Sequence, residues 1–170
     1  MKNNTKSKAS STSVETIHIG LDEEVRQKVV AMLSQLLANQ HVLYIKTRNF
    51  HWNLTGHRFS TLHLFFEKQY GELEAAIDET AERIRMLGAA SPGSMKEFLE
   101  LATLKETPGA LVHGDDAVRA LRDDHEAASR EARKVIDDSD ELGDAGTADF
   151  VTKLLQGHEQ AAWMLRSFLE

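Results

Sequence analysis

The 170-residue sequence contains no cysteine. That absence excludes disulfides, zinc–thiolate sites and iron–sulfur clusters, and it fits a reducing compartment. Proline occurs only twice, at Pro92 and Pro108, so long stretches can run as uninterrupted helix. No stretch approaches the roughly 18 apolar residues of a membrane span, and the first residues lack the apolar run of a secretory signal. The expectation is a soluble, cytoplasmic protein with no membrane partner. Positive charge is also scarce. Twenty Lys and Arg stand against 27 Asp and Glu, a net charge of −7, which argues against a folded body that grips nucleic acid. No segment alternates at the strand period and none repeats.

What is present is helical periodicity. Residues 1–20 lack it and read as a mobile tail, made locally basic by Lys2, Lys6 and Lys8 against the single acid Glu15. Residues 21–170 read as one domain. A first helix runs from Asp22 to about Trp52, with Val25, Val29, Leu33, Leu36, Gln40, Leu43, Thr47 and Phe50 on its buried face. Thr55-Gly56 breaks it, and a second helix begins near Arg58, its stripe formed by Leu62, Phe66, Tyr70, Leu73, Ile77, Ile84 and Leu87. Gly88 and Pro92 end that helix. Ser94 with Glu97 forms a capping box for a short helix from Met95 to about Leu101, followed by the break at Thr107-Pro108-Gly109. A third long helix starts near Asp115 and buries Val118, Leu121, Ala128, Ala132 and Val135. Thr147 is expected to cap a fourth, with Phe150, Leu154, Ala161, Leu165 and Phe168 inward. The predicted fold is all-α: a four-helix bundle with a short extra helix between its second and third long helices.

Residues of metal-ligand type sit at helical spacing on the second helix. His63 and Glu67 are four apart, and so are Asp78 and Glu82, so each pair shares a face. His63 and Asp78, however, lie about 22 Å apart along the axis, too far for one site. Glu67 and Asp78 point within roughly 20° of each other. Two copies of the helix, antiparallel about a twofold axis crossing near residue 72, would bring His63 and Glu67 of one subunit to Asp78 and Glu82 of the other. Gly71 stands beside that crossing, where a missing side chain permits close approach. His51 and His63 are equidistant from residue 57, so an antiparallel hairpin brings them level. The other histidines (His18, His41, His57, His113, His125 and His158) read as packed or solvated.

Phe50-His51-Trp52, His63 twelve residues on, Glu67, then Asp78 and Ala81-Glu82-Arg83, together with Asp-x-Gly-Thr-Ala-Asp at 144–149 and the ending Trp-Met-Leu-Arg-Ser-Phe-Leu-Glu, resemble the Dps family of mini-ferritins over residues 22–170. The resemblance implies a ferritin-like four-helix bundle assembled as a hollow dodecamer. It implies ferroxidase sites shared across twofold interfaces, oxidising Fe(II) preferentially with hydrogen peroxide and storing ferric oxyhydroxide, so that DNA is protected from oxidative damage. Carried over by position, the ligands are His51, His63 and Glu67 of one subunit with Asp78 and Glu82 of its partner, and Trp52 intercepts oxidising equivalents. Asp144 and Asp149 would line pores that admit iron. Position 67 carries Glu where many members carry Asp, and Leu64 stands where an acid is frequent.

Imidazole and carboxylate suit Fe(II), with zinc the expected competitor. A classical ferritin centre needs two Glu-x-x-His motifs within one bundle, and here only Glu15–His18 fits. The rival reading is a nucleoid-associated, DNA-compacting protein in which iron oxidation is secondary. DNA would then be held weakly and without sequence preference through Lys2, Lys6 and Lys8.

Overall fold

The computed structural model describes residues 17–109 and 111–170; Lys2, Lys6 and Lys8 lie outside the described residues. Among these, α1 (Glu23–Asn53) and α2 (Phe59–Met86) form one hairpin, and α4 (Gly114–Glu141) and α5 (Ala145–Ser167) form a second. The short α3 (Met95–Leu101) lies in the connection between them. Local chemistry sets the ends. Glu23 and Glu24 occupy the first turn of α1, where the helix dipole favours acids, and the Ser94–Glu97 capping box opens α3 with both of its reciprocal bonds made.

The direction of each helix follows from a detail that carries no pattern in the sequence. β1 (Leu54–Thr55) pairs in parallel with β2 (Val112–His113), a ladder too short to show alternation. It places the end of α1 beside the start of α4. Because α2 also starts there, α2 and α4 run the same way, and the chain between them returns the length of the bundle. Arg58 closes this end, pairing with Asp115 and donating to the Phe168 carbonyl. Asn39 fastens the returning connection. Its side-chain oxygen accepts from the Thr103 and Leu104 amides at 2.8 and 2.9 Å, and its NH2 donates to Glu131 at 2.6 Å.

The core has two apolar clusters. One, near the far end, includes Leu33, Leu37, Ile84, Leu87, Phe98, Ala132 and Val151. The other, behind the β1–β2 end, includes Leu43, Phe50, Leu62, Phe66, Val118, Leu121 and Leu165. Each large side chain so withdrawn from water contributes about 1.5–3 kcal/mol. The faces expected from periodicity are the buried ones, although Val25, Tyr70, Ile77, Phe150 and Phe168 are only half-buried.

At the start of α5 the expectation is corrected. Its N-cap is Asp144, not Thr147. The Asp144 carboxylate accepts from the Thr147 amide at 3.0 Å and from the Thr147 hydroxyl at 2.6 Å. A carboxylate caps a helix as well as a hydroxyl does, and here Arg83 of α2 also pairs with it at 2.8 Å.

Candidate metal centre

The α1–α2 turn brings together the two candidate histidines, His51 and His63. α1 stops at Asn53, the chain passes through Leu54 and Thr55, and Gly56 turns it with a φ of +112°, a conformation that glycine adopts without cost. The amide of Phe59 donates to the Gly56 carbonyl at 3.1 Å, and α2 begins. His51 in the last turn of α1 and His63 in the first turns of α2 are thereby brought level. Their rings stack with centroids 3.7 Å apart and planes at 19°.

The two imidazoles are locked reciprocally. His51 Nδ1 lies 2.8 Å from the carbonyl oxygen of His63, and His63 Nδ1 lies 3.0 Å from the carbonyl oxygen of His51. A carbonyl only accepts, so each Nδ1 carries the hydrogen and each neutral ring keeps its lone pair on Nε2. Backbone carbonyls in this position are the usual second partners of metal-bound imidazoles; they fix tautomer and ring orientation and raise basicity. His51 is 7% exposed and His63 is half-buried, so the pair presents a fixed edge rather than two mobile side chains.

Glu67 is exposed one turn beyond His63 on α2. Asp78 and Glu82 are exposed further along the same unbroken helix, about 22 Å and about 28 Å from His63 along its axis. Among the described residues no three His, Asp or Glu side chains come together in a group that could hold a metal ion. The structure thus unites His51 and His63, places Glu67 within a turn of them, and keeps Asp78 and Glu82 apart. A Cβ added at the exposed Gly71 would meet nothing within 4 Å, so packing inside the subunit does not require a glycine there.

The surroundings of the histidines contain residues that sequence reading passed over. Tyr70 stands edge-on to His51, and the Arg48 guanidinium lies over the rings of Tyr44, Trp52 and Tyr70 at 5.5, 5.0 and 5.2 Å. The available signal was spacing: Tyr44, Arg48 and Trp52 recur every fourth residue on α1, and Tyr70 lies two turns beyond His63. Trp52 itself is 62% exposed. Of the two acids expected at a pore, Asp149 is exposed, whereas Asp144 is 3% exposed and committed to Arg83 and Thr147. The first is available to solvent; the second is structural.

The sequence matches the ferritin-like domain over residues 30–170. An uncharacterized low temperature-induced protein of Nostoc is 47% identical over 155 residues, covering 91% of this chain and 87% of that protein. The DNA protection during starvation protein of Brevibacillus brevis is 36% identical, over 86% of this chain and 97% of its own length. Among solved structures, the Dps protein of Vibrio cholerae, described as one of the ferritin-like diiron-carboxylate proteins, superposes with a TM-score of 0.87 at 35% identity, covering 94% of this chain and all of that one. The bundle and its short extra helix agree with these relatives: the chain belongs to the Dps family of ferritin-like iron-storage and DNA-protection proteins.

Proposed function

We propose that this protein is a ferroxidase that oxidises Fe(II) with hydrogen peroxide at sites shared by two subunits, and that it stores the ferric product inside a hollow dodecamer. The reciprocal His51–His63 arrangement carries the reading. Two Nε2 lone pairs are fixed side by side, and among the described residues no third His, Asp or Glu joins them in a group that could hold a metal ion. Asp78 and Glu82 of a twofold-related copy would supply the missing carboxylates, with Glu67 alongside. The bare Gly71 would permit the helices to cross there.

The chemistry balances without a radical. Two Fe(II) each give one electron to one hydrogen peroxide, the O–O bond breaks, and both oxygens end as water-level oxygen. The ferric ions hydrolyse to oxyhydroxide and release protons. Carboxylates offset the added positive charge, and neutral imidazoles favour the divalent ion on entry. Trp52, beside His51, would take up an oxidising equivalent when only one iron is present. Asp149 would help draw Fe(II) inward. Zinc, which binds such ligands more tightly than iron, would compete.

The test is anaerobic loading with Fe(II), then one hydrogen peroxide per two irons, while ferric absorbance and spin-trapped hydroxyl radical are followed. Rapid ferric growth without trapped radical, lost in Asp78→Ala, is expected. Ferric growth no faster than in protein-free iron would overturn the proposal.

The DNA-compacting reading rests on Lys2, Lys6 and Lys8. Twelve chains at −7 each carry −84, so any DNA contact would fall to the tails and weaken steeply with salt. Equal gel retardation at low salt by full-length protein and by protein lacking residues 1–18 would remove the tail from that role.

A further inference from the structure

Along α4 and α5, two buried histidines sit between the members of the two apolar clusters. His125 follows Leu121 and precedes Ala132; His158 follows Leu155 and precedes Leu165. They are 3% and 8% exposed, and their Nδ1 atoms lie 3.0 Å apart. His125 Nε2 has no hydrogen-bond partner among the described residues, and neither has either side-chain atom of Gln69 on α2. Gln69 is at the same level of the bundle. The His51–His63 tie sets residue 69 opposite residue 45 of α1, and the Lys46–Asp124 ion pair sets residue 45 opposite residue 125 of α4. All three side chains line one cavity of about 330 Å³ that opens between α2 and α5. A Cβ at Gly157, on the α5 side of the opening, would meet nothing within 4 Å.

We propose that His125 and His158 form a second metal site, lying within one subunit and separate from His51 and His63, which takes a divalent transition ion of tetragonal preference, Cu(II) foremost. The choice of ion follows from an angle. With metal–nitrogen bonds of about 2.0–2.1 Å, nitrogens 3.0 Å apart subtend roughly 95° at a shared ion. A tetrahedral ion such as zinc wants them about 3.3 Å apart. Tetragonal Cu(II) places neighbouring nitrogens near a right angle and needs no movement of the helices. The two-imidazole set suits copper, and the Gln69 amide and water in the cavity complete the coordination with neutral oxygen.

Protons balance as well. In the metal-free pair one Nδ1–H donates to the other Nδ1 lone pair. Metal entry requires both lone pairs, so that hydrogen moves to Nε2 of its own ring, and a pair that is already neutral releases no proton. Burial lowers both histidines from their ordinary values, which keeps the pair neutral and ready for a cation. Around the mouth, Glu72 and Glu79 face Lys68 and Lys153; Lys153 bonds Glu79 at 2.8 Å, and Lys68 reaches Glu72 at 3.3 Å. The approach is therefore close to neutral and does not repel a divalent ion. The site does not depend on the ferroxidase reading, because it shares no residue with it.

The experiment uses the full-length oligomer with His51→Ala/His63→Ala, which removes the competing pair, and Cu(II) sulfate as probe. Crystals loaded with one Cu(II) per subunit should show an anomalous peak about 2 Å from both Nδ1 atoms. Electron paramagnetic resonance should show coupling to two nitrogens. Adding His158→Leu, which keeps the position apolar and filled, should weaken copper binding at least tenfold. His158→Leu alone should leave iron oxidation within twofold of wild type. Copper found only on surface histidines, or nitrogen-coupled copper bound equally tightly without His158, would overturn the proposal. If the leucine variant fails to assemble, the anomalous map of the otherwise intact chain decides by itself.

Discussion

The phenol ring of Tyr70 stands edge-on to the imidazole of His51, with centroids 5.3 Å apart and planes at 85°. Arg48 lies 5.2 Å from the same phenol. A fixed cation beside the ring disfavours a radical cation, so oxidation of Tyr70 must release the phenolic proton and give the neutral radical. With peroxide in excess over iron, a tyrosyl radical signal is expected in wild type and should fall by more than half in Tyr70→Phe. Initial ferric formation should stay within twofold. An undiminished signal would place the radical elsewhere.

If two subunits complete each site, Asp78→Ala and His51→Ala/His63→Ala are each inactive alone and complement one another. A mixed interface then holds one intact site of its two. Random exchange of equal amounts should recover about a quarter of wild-type activity. Verified mixed oligomers with no recovery would confine the site to one chain.

Zinc should inhibit. Two fixed neutral imidazoles with carboxylates favour Zn(II) over Fe(II) in the usual affinity order. One zinc per site, added before iron, should slow initial ferric growth by roughly tenfold or more. Unchanged kinetics would show that the histidines do not receive the iron.

Asp144 joins the start of α5 to the end of α2. Asp144→Ala removes the cap, worth about 1 kcal/mol, and strips Arg83 of its buried partner; together about 2–4 kcal/mol of stability should be lost. Asp144→Asn keeps an oxygen for the Thr147 amide and should lose about half of that. Urea unfolding at fixed subunit concentration measures both.

The buried histidine pair makes folding sensitive to acid. Burial holds His158 at about 4 and His125 well below its ordinary value, the charge of His158 adding to the effect. In the unfolded chain both titrate near 6.5. As pH falls from about 6.5 towards 4 the unfolded chain binds more protons than the folded one, and stability is lost; above that window the pair adds no pH dependence. His158→Leu should therefore recover roughly 2 kcal/mol of the stability lost between pH 7 and pH 5. Equal losses in both proteins would remove the pair from the acid response.

How much of this was legible in the sequence depended on how far each feature reached along the chain. His51 and His63 mirror one another about a turn, so an antiparallel hairpin alone brings them level. The capping box at Ser94 is likewise local. Asp144 was harder: the choice between it and Thr147 turns on Arg83, 61 residues earlier, which supplies the counter-charge for a buried carboxylate whose Thr147 partners are uncharged. The β1–β2 bridge has only two residues and no pattern to read. His125 and His158 lie 33 residues apart on separate helices, and whether they meet depends on the relative rotation and register of α4 and α5. Amphipathic stripes fix each helix to within a side chain's width, which is not enough to tell a contact from a near miss. Tyr70 was legible only as one more member of an apolar stripe.

His63 and Asp78 ride on one helix without a break between them, so no rearrangement of the chain can fold one onto the other. On the reading advanced here, a newly made subunit holds its imidazoles in place but has no iron chemistry. Competence arrives with an encounter between two copies. At low subunit concentration protective activity would rise as roughly the square of the amount of protein, and become proportional only once pairing saturates. On that reading a lone chain would not begin oxidising iron before it had met a second copy.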